Sequence, residues 1–180
     1  MMRHYLDMKE KYKGCILFYR LGDFYEMFFE DAEKVSKLLD LTLTGKDCGL
    51  EERAPMCGIP YHAADVYISK LVALGEKVAI CEQLSDPKES KGLVERDVVR
   101  VVSAGTLIDD AMLDETKNNY IACLFKAGES IAAAWTDITT GEFSVAEFSG
   151  VSALEDTITQ IVKLSVAEVI CNEEMLLASK

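Results

Sequence analysis

The sequence predicts an α/β fold in two parts: a domain built on a mixed sheet, then the start of a second, strand-led domain. Three observations predict it. Over residues 1–105, short apolar runs alternate with stretches of helical periodicity. A polar, acidic stretch then interrupts that alternation at residues 106–119. Beyond it come three strand-like runs separated by turn residues. At 180 residues and 49% hydrophobic, the chain can bury a real core.

The first domain spans residues 1–105. Residues 2–12 read as a short polar helix with Tyr5 and Met8 on one side. Gly14 introduces the apolar run Cys15 to Tyr19, a buried strand, and the run Phe24 to Phe29 is a second strand. Glu30 to Leu39 reads as a helix, acidic in its first turn, with Ala32, Val35, Leu38 and Leu39 as its apolar stripe. Leu41 to Thr44 is a short run of β-prone residues, and Gly45 to Pro60 is loop-like, with two prolines. A helix fits His62 to Leu74, with Val66, Leu71 and Leu74 inward and Gly75 as its stop. His62 reads as a cap or a buried hydrogen-bond partner. Strands fit Val78–Leu84 and Val98–Val102, with an exposed loop over Ser85–Gly92.

Residues 106–119 read as a linker. Residues 120–180 begin with a meander, Tyr120–Phe125, Ile131–Ile138 and Glu142–Phe148, turned at Lys-Ala-Gly-Glu and Thr-Thr-Gly. A helix over Val151–Leu164 follows, with Leu154, Ile158, Ile161 and Val162 on one face, then a strand over Val166–Cys171. This β-β-β-α-β order is how RNase H-like domains begin. The chain stops before such a domain is complete, so it reads as a fragment.

Composition excludes several classes. No apolar run reaches membrane-spanning length and no leader is evident, so a cytoplasmic location and no membrane partner are expected. The six cysteines are scattered without a Cys-x-x-Cys pair and read as reduced thiols, several in buried strands. Cys57 and His62 lack two further ligands for a metal site. Gly45-Lys46-Asp47 is not a phosphate-binding loop, because the upstream glycine and the following Ser or Thr are missing. The net charge is −12, which disfavours DNA binding, but it is uneven. Residues 1–105 hold 15 Lys and Arg against 18 Asp and Glu, whereas residues 106–180 hold 4 against 13. The first part can still present a local basic face. The second is a poor phosphate tracker.

The most informative stretch is Leu21-Gly22-Asp23-Phe24-Tyr25-Glu26-Met27-Phe28-Phe29. In a strand, Phe24 and Glu26 share a face about 6.6 Å apart, or roughly two base steps of DNA. An apolar wedge beside a hydrogen-bonding group can open a base step and test what it finds. The same alternation also suits a plain core strand, with Tyr25 on the inner face. A Glu26 ion pair with Lys13 or Arg20 is the structural alternative. Leu21 either abuts the Phe24 ring or belongs to the core.

The order Leu17 to Glu26, Leu-Phe-Tyr-Arg-Leu-Gly-Asp-Phe-Tyr-Glu, resembles the amino-terminal mismatch-recognition domain of the MutS family of DNA mismatch-repair proteins. The resemblance continues in Pro55-Met56-Cys57-Gly58-Ile59-Pro60-Tyr61-His62-Ala63, in Val78-Ala79-Ile80-Cys81-Glu82-Gln83 with Asp86-Pro87, and from Val94-Glu95-Arg96 to Gly105-Thr106. Blocks in this order over so long a stretch are specific, whereas Phe-x-Glu alone is weak. Residues 120–180 are similar to part of the family's connector domain.

The resemblance implies that Phe24 stacks into the duplex at a mispaired base and that Glu26 contacts that base. A carboxylate among phosphates is favoured to take up a proton, and once protonated it donates to an acceptor such as a purine N7. The resemblance also implies that Lys46 and Arg96 hold the DNA backbone. Asp97 departs from the basic residue common there, which weakens the local phosphate contact. Full-length relatives are ATPases that clamp DNA as dimers. ATP and magnesium are therefore expected in a downstream part, and no cofactor and no catalysis in this fragment. The expected partners are duplex DNA with mismatches or small loops, a second copy of the full-length protein, and downstream repair factors through the connector domain.

Two rival readings stand beside this one. Asp137, next to the Thr139-Thr140-Gly141 turn, hints at a metal-dependent nuclease or phosphotransferase on the RNase H-like part, but no further carboxylates at metal spacing accompany it. A relative turned to junction or damage binding is the other, and Phe24 with Glu26 counts against it.

Overall fold

The computed structural model describes residues 1–49, 53–85, 94–108, 113 and 116–180, which divide into two units, Met1–Ser103 and Ala104–Lys180. Most of the loop read over Ser85–Gly92 and part of the linker read over 106–119 lie outside the described residues.

The first unit runs α1 (Met2–Lys11), β1 (Cys15–Leu21), β2 (Phe24–Phe28), α2 (Phe29–Leu39), β3 (Thr44–Lys46), β4 (Ala54–Pro60), α3 (Ala64–Ala73), β5 (Lys77–Gln83) and β6 (Arg96–Val102). The strands form one mixed sheet in the order β3-β4-β2-β1-β5-β6. β1 and β5 are parallel, and the other neighbours are antiparallel. The registers Tyr19↔Glu26, Leu21↔Phe24, Phe28↔Met56 and Thr44↔Met56 put these residues on one face. α1 covers part of that face, packing Tyr5 and Met8 against Leu17, Tyr19 and Phe28. α2 and α3 cover the opposite face, where the Cys57 thiol reaches the Ala32 carbonyl at 3.5 Å.

A buried carboxylate ties these layers together. The β1–β2 ladder ends at Tyr19↔Glu26, so further along β1 the Leu17 N–H has no β2 partner. It donates instead to Asp31 Oδ2 at 2.9 Å. Lys9 donates to the other oxygen at 2.7 Å, and the Tyr5 hydroxyl lies 3.4 Å from Oδ2. Asp31 is 5% exposed and sits in the first turn of α2, where the helix dipole also favours its charge. Burial, reinforced by the Asp31 carboxylate, raises the Tyr5 hydroxyl pKa far above its usual value.

The structure revises several sequence expectations. The short strand is Thr44–Lys46, not Leu41–Thr44. Asp40, in the left-handed conformation, ends α2, and pairing begins only where β4 supplies a partner. The supposed loop Gly45–Pro60 contains β4, a strand flanked by β3 and β2. Its prolines lie near its two ends, which hid the strand from a propensity reading. The buried stripe of α2 is Asp31, Ala32, Val35 and Ser36, with Leu38 exposed. α3 starts at Ala64 after a single 3₁₀ turn, so its phase differs. Ala64, Ile68, Leu71 and Val72 are buried, and Val66 and Leu74 are exposed. His62 is exposed and neither caps nor buries; its ring meets the Tyr61 ring edge-on at 5.7 Å. Two of the cysteines, Cys123 and Cys171, are exposed.

The second unit runs β7 (Tyr120–Ala127), β8 (Ser130–Asp137), β9 (Glu142–Ser149), α4 (Ala153–Leu164), β10 (Glu168–Cys171) and α5 (Glu173–Ala178). Its sheet order is β10-β7-β8-β9, with β10 and β7 parallel. The β-β-β-α-β order is therefore present. Tyr120, Ala122, Leu124, Ile131, Ala133 and Trp135 form the face on which Ala153 of α4 and Met175 of α5 pack. α4 buries Ala153 and Thr157, while Ile158 and Val162 are exposed. α5 was missed in the sequence; its signal is Asn172, whose side chain caps it by accepting from Met175 N–H. Gly105 packs so tightly that a Cβ there would lie 2.8 Å from Ile121 Cβ and 2.9 Å from Glu168 Cβ.

Two stability outcomes follow. Asp31→Ala removes the acceptor of the buried Leu17 N–H and the counter-charge of Lys9, and should lower the unfolding free energy by about 3 kcal/mol. Asp31→Asn keeps an acceptor and should lose clearly less. Urea unfolding followed by circular dichroism checks this, and equal losses would remove the carboxylate's special role. Gly105→Ala should cost about 1–3 kcal/mol through overpacking, read as a lower midpoint in the same assay.

Candidate nucleic-acid interface

The candidate site begins with the turn between β1 and β2. Leu21 and Phe24 pair across a two-residue turn, Gly22-Asp23. Gly22 has a φ of 60°, which a side chain would oppose. Three hydrogen bonds pin the turn. Gly22 N–H donates to Gln83 Oε1 at 2.8 Å, Arg20 Nε donates to the Gly22 carbonyl, and Tyr61 N–H donates to the Asp23 carbonyl at 3.0 Å. Phe24 stands at this pinned end and is 47% exposed. An exposed aromatic on a fixed backbone can insert elsewhere without first being ordered.

Behind the turn, Arg20 lies 3.7 Å from the Tyr61 ring centroid and 3.6 Å from Glu82. The buried Tyr25 hydroxyl donates to the same Glu82. Burial, helped by Glu82, raises the Tyr25 pKa well above the ordinary phenol value. Tyr25 is thus a core residue on the opposite strand face, as its alternation with Phe24 predicts.

Phe24 and Glu26 share the face that α1 leaves open. They line a groove with Thr42, Thr44, Met56 and Gly58. Gly58 lies opposite Glu26, and a Cβ there would lie 3.3 Å from the Tyr25 carbonyl and 3.6 Å from Glu26 Cγ. The glycine therefore keeps the groove floor low beside the carboxylate. Glu26 pairs with Lys46 rather than with Lys13 or Arg20. Lys13 pairs with Glu10 and Arg20 with Glu82. The Lys46 ammonium also sits 5.7 Å from the Phe28 ring centroid.

The other expected site residues divide. Leu21 is directly opposite Phe24 in the strand register, and its side chain packs against the core. Arg96 is half-buried and braces the hairpin. Its Nε donates to the Arg20 carbonyl at 2.9 Å and its Nη1 to the Val94 carbonyl at 3.0 Å. The neighbouring Asp97 carboxylate is exposed and accepts from Val98 N–H. Sequence reasoning missed Gln83, Arg20 and Tyr61 as hairpin supports. Polar or aromatic residues at the ends of buried runs were their signal.

In the second unit, both Asp137 oxygens serve the adjoining backbone. Oδ1 accepts from Thr139 N–H at 2.9 Å and Thr139 Oγ1 at 2.6 Å, and Oδ2 from Asn119 N–H at 3.1 Å. These donors, the Thr139 hydroxyl foremost, hold its pKa below the ordinary carboxylate range. Among the described residues no three His, Cys, Asp or Glu side chains group as metal ligands. Burial pushes the Cys57 thiol up to about 11. No described helix is long and apolar enough to cross a membrane.

The family model for MutS domain I matches residues 1–111, and that for MutS domain II matches residues 119–178. The DNA mismatch repair protein MutS of Acetivibrio thermocellus is 56% identical over 174 residues, covering 97% of this chain and 20% of that protein. The protein of the same name from Ruminiclostridium cellulolyticum is 56% identical over 175 residues, with the same coverage. That of Caldanaerobacter subterraneus subsp. tengcongensis is 52% identical over 180 residues, all of this chain and 21% of the relative. The chain thus spans about a fifth of the length of the curated relatives it matches. Two domain matches in sequence order, joined by more than half identity across nearly every residue, establish that the chain belongs to the MutS family.

Proposed function

We propose that this chain senses mispaired or unpaired bases in duplex DNA, as the amino-terminal part of a longer mismatch-repair protein. One observation carries the reading: an exposed Phe24 at the end of a pinned hairpin, with the Glu26 carboxylate on the same face. The names of the relatives, which are mismatch-repair proteins, support it.

The mechanism rests on deformability. Opening a base step costs a few kcal/mol, and least where pairing is already poor. A ring that inserts at every step therefore settles where the DNA yields, without reading sequence. The hairpin contributes rigidity, so the DNA deforms rather than the protein. Glu26 adds a second test, because a carboxylate near phosphates is unfavourable unless a displaced base offers it a hydrogen bond. Lys46 and Arg96 lie on the same sheet as the wedge. Lys46 is available for a phosphate only by leaving Glu26, whereas Arg96 has two of its N–H groups committed to carbonyls.

With a net charge of −12, this chain is not built to hold DNA by itself. The proposal therefore places most of the affinity in the rest of the protein, which would clamp DNA as a dimer and bind ATP and magnesium. The connector-like second unit would then present surfaces to other repair factors. A nuclease on the second unit has no supporting observation, since Asp137 is committed to its turn and to the Asn119 N–H.

Two variants in the full-length protein test the reading. Phe24→Ala should lose about 1–3 kcal/mol of binding by analogy with base–aromatic stacking, almost entirely on mismatched duplex. Equal losses on mismatched and perfect duplex would make Phe24 a structural residue. Glu26→Gln should bind perfect duplex at least as tightly as the parent, so that the preference for a mismatch shrinks. Fluorescence anisotropy with matched duplexes differing by one base pair measures both, and weaker binding of Glu26→Gln to perfect duplex would end the base-testing role.

A further inference from the structure

We infer that Lys46 is a specificity-determining residue that couples phosphate binding to the state of Glu26, and not a plain backbone contact. The inference rests on the mismatch-sensing reading above. Its observation is that one ammonium has two claimants. In this structure Lys46 neutralises Glu26. The two residues are not sheet neighbours. Lys46 lies opposite Ala54, and Glu26 lies opposite Gly58 four residues along β4. The lysine stem must run diagonally along the open face to reach Glu26, and its ammonium ends near the Phe28 ring. The Glu26 side chain is only 15% exposed, against 33% for Lys46. The cation is thus the more accessible partner, and it can swing to a phosphate while the carboxylate stays behind.

The consequences differ on the two kinds of DNA. On a perfect duplex, moving Lys46 to a phosphate leaves Glu26 largely desolvated and without a partner, because no base is displaced towards it. Uncompensated charge of this kind is strongly unfavourable. Lys46 therefore remains on Glu26, and the duplex lacks that phosphate contact. On a mismatch, the base displaced by Phe24 supplies Glu26 with a hydrogen bond. Lys46 is then released to the backbone. The ion pair thereby makes one phosphate contact conditional on base displacement.

This predicts a difference in salt dependence. Each phosphate contact contributes about 0.9 to the slope of log affinity against log salt. In the full-length protein, the slope for mismatched duplex should be steeper by about 0.9 than that for perfect duplex. Lys46→Met should abolish the difference by lowering the mismatch slope alone. Glu26→Gln should abolish it by raising the perfect-duplex slope. The double variant should match Lys46→Met, and Lys46→Arg should retain the difference. Circular dichroism melts of each variant keep misfolding apart from these outcomes. Equal slopes in the parent protein, or Lys46→Met lowering both slopes alike, would overturn the inference and return Lys46 to an ordinary phosphate contact. Absence of any mismatch preference in the parent would instead overturn the functional reading on which it rests.

Discussion

The buried Asp31 carboxylate is the interaction on which the first unit depends. It accepts from α1 through Lys9 and from β1 through the Leu17 N–H, while sitting in the first turn of α2. It stands where a strand would otherwise continue. β2 leaves β1 after Tyr19↔Glu26 and turns into α2 at Phe29, whose φ is 53°. A bulky residue in that conformation is strained, so the departure needs compensation. Asp31 supplies it by satisfying the backbone donor that the departing strand leaves behind. The short β1–β2 pairing then becomes a hairpin whose free end extends past the helical cover.

That free end carries the exposed Phe24 ring. Phe24 could not act as a wedge on a loose loop, since the loop would yield before the DNA did. Gln83, Tyr61 and Arg20 each hold a different backbone atom of the turn. Arg20 is itself held by Glu82 and stacked on Tyr61. The rigidity of the exposed ring therefore comes from β5 and from the residues that follow β4. These are elements distant in sequence, so the pinned turn exists only in the folded unit.

Charge is arranged with similar economy. The cations near the wedge are not free-standing. Lys46 answers Glu26, and Arg96 answers backbone carbonyls. A basic surface would bind any duplex, because phosphate attraction carries no information about pairing. A site whose cation is already engaged binds weakly until something displaces it. Under the proposed function, an engaged cation and the strong acidity of the second half of the chain suit a sensing part better than a holding part.

The sequence by itself determined the order of the elements other than β4 and α5, the division into an acidic and a near-neutral part, and the shared face of Phe24 and Glu26. Period-two alternation and local composition are properties of neighbouring residues, so they survive without a fold. The family was legible for the same reason, in contiguous blocks such as Leu17–Glu26. β4 was not legible, because Pro55, Gly58 and Pro60 are poor strand formers and only β2 and β3 on either side make them a strand. The inward faces of α2 and α3 shifted because a buried Asp31 and a 3₁₀ turn at Tyr61–Ala63 reset their phase. The pairing of Lys46 with Glu26, twenty residues apart, was decided by the sheet, which places β3 and β2 on either side of β4 with both side chains on one face. Which charges meet depends on which strands become neighbours, and no local pattern records that.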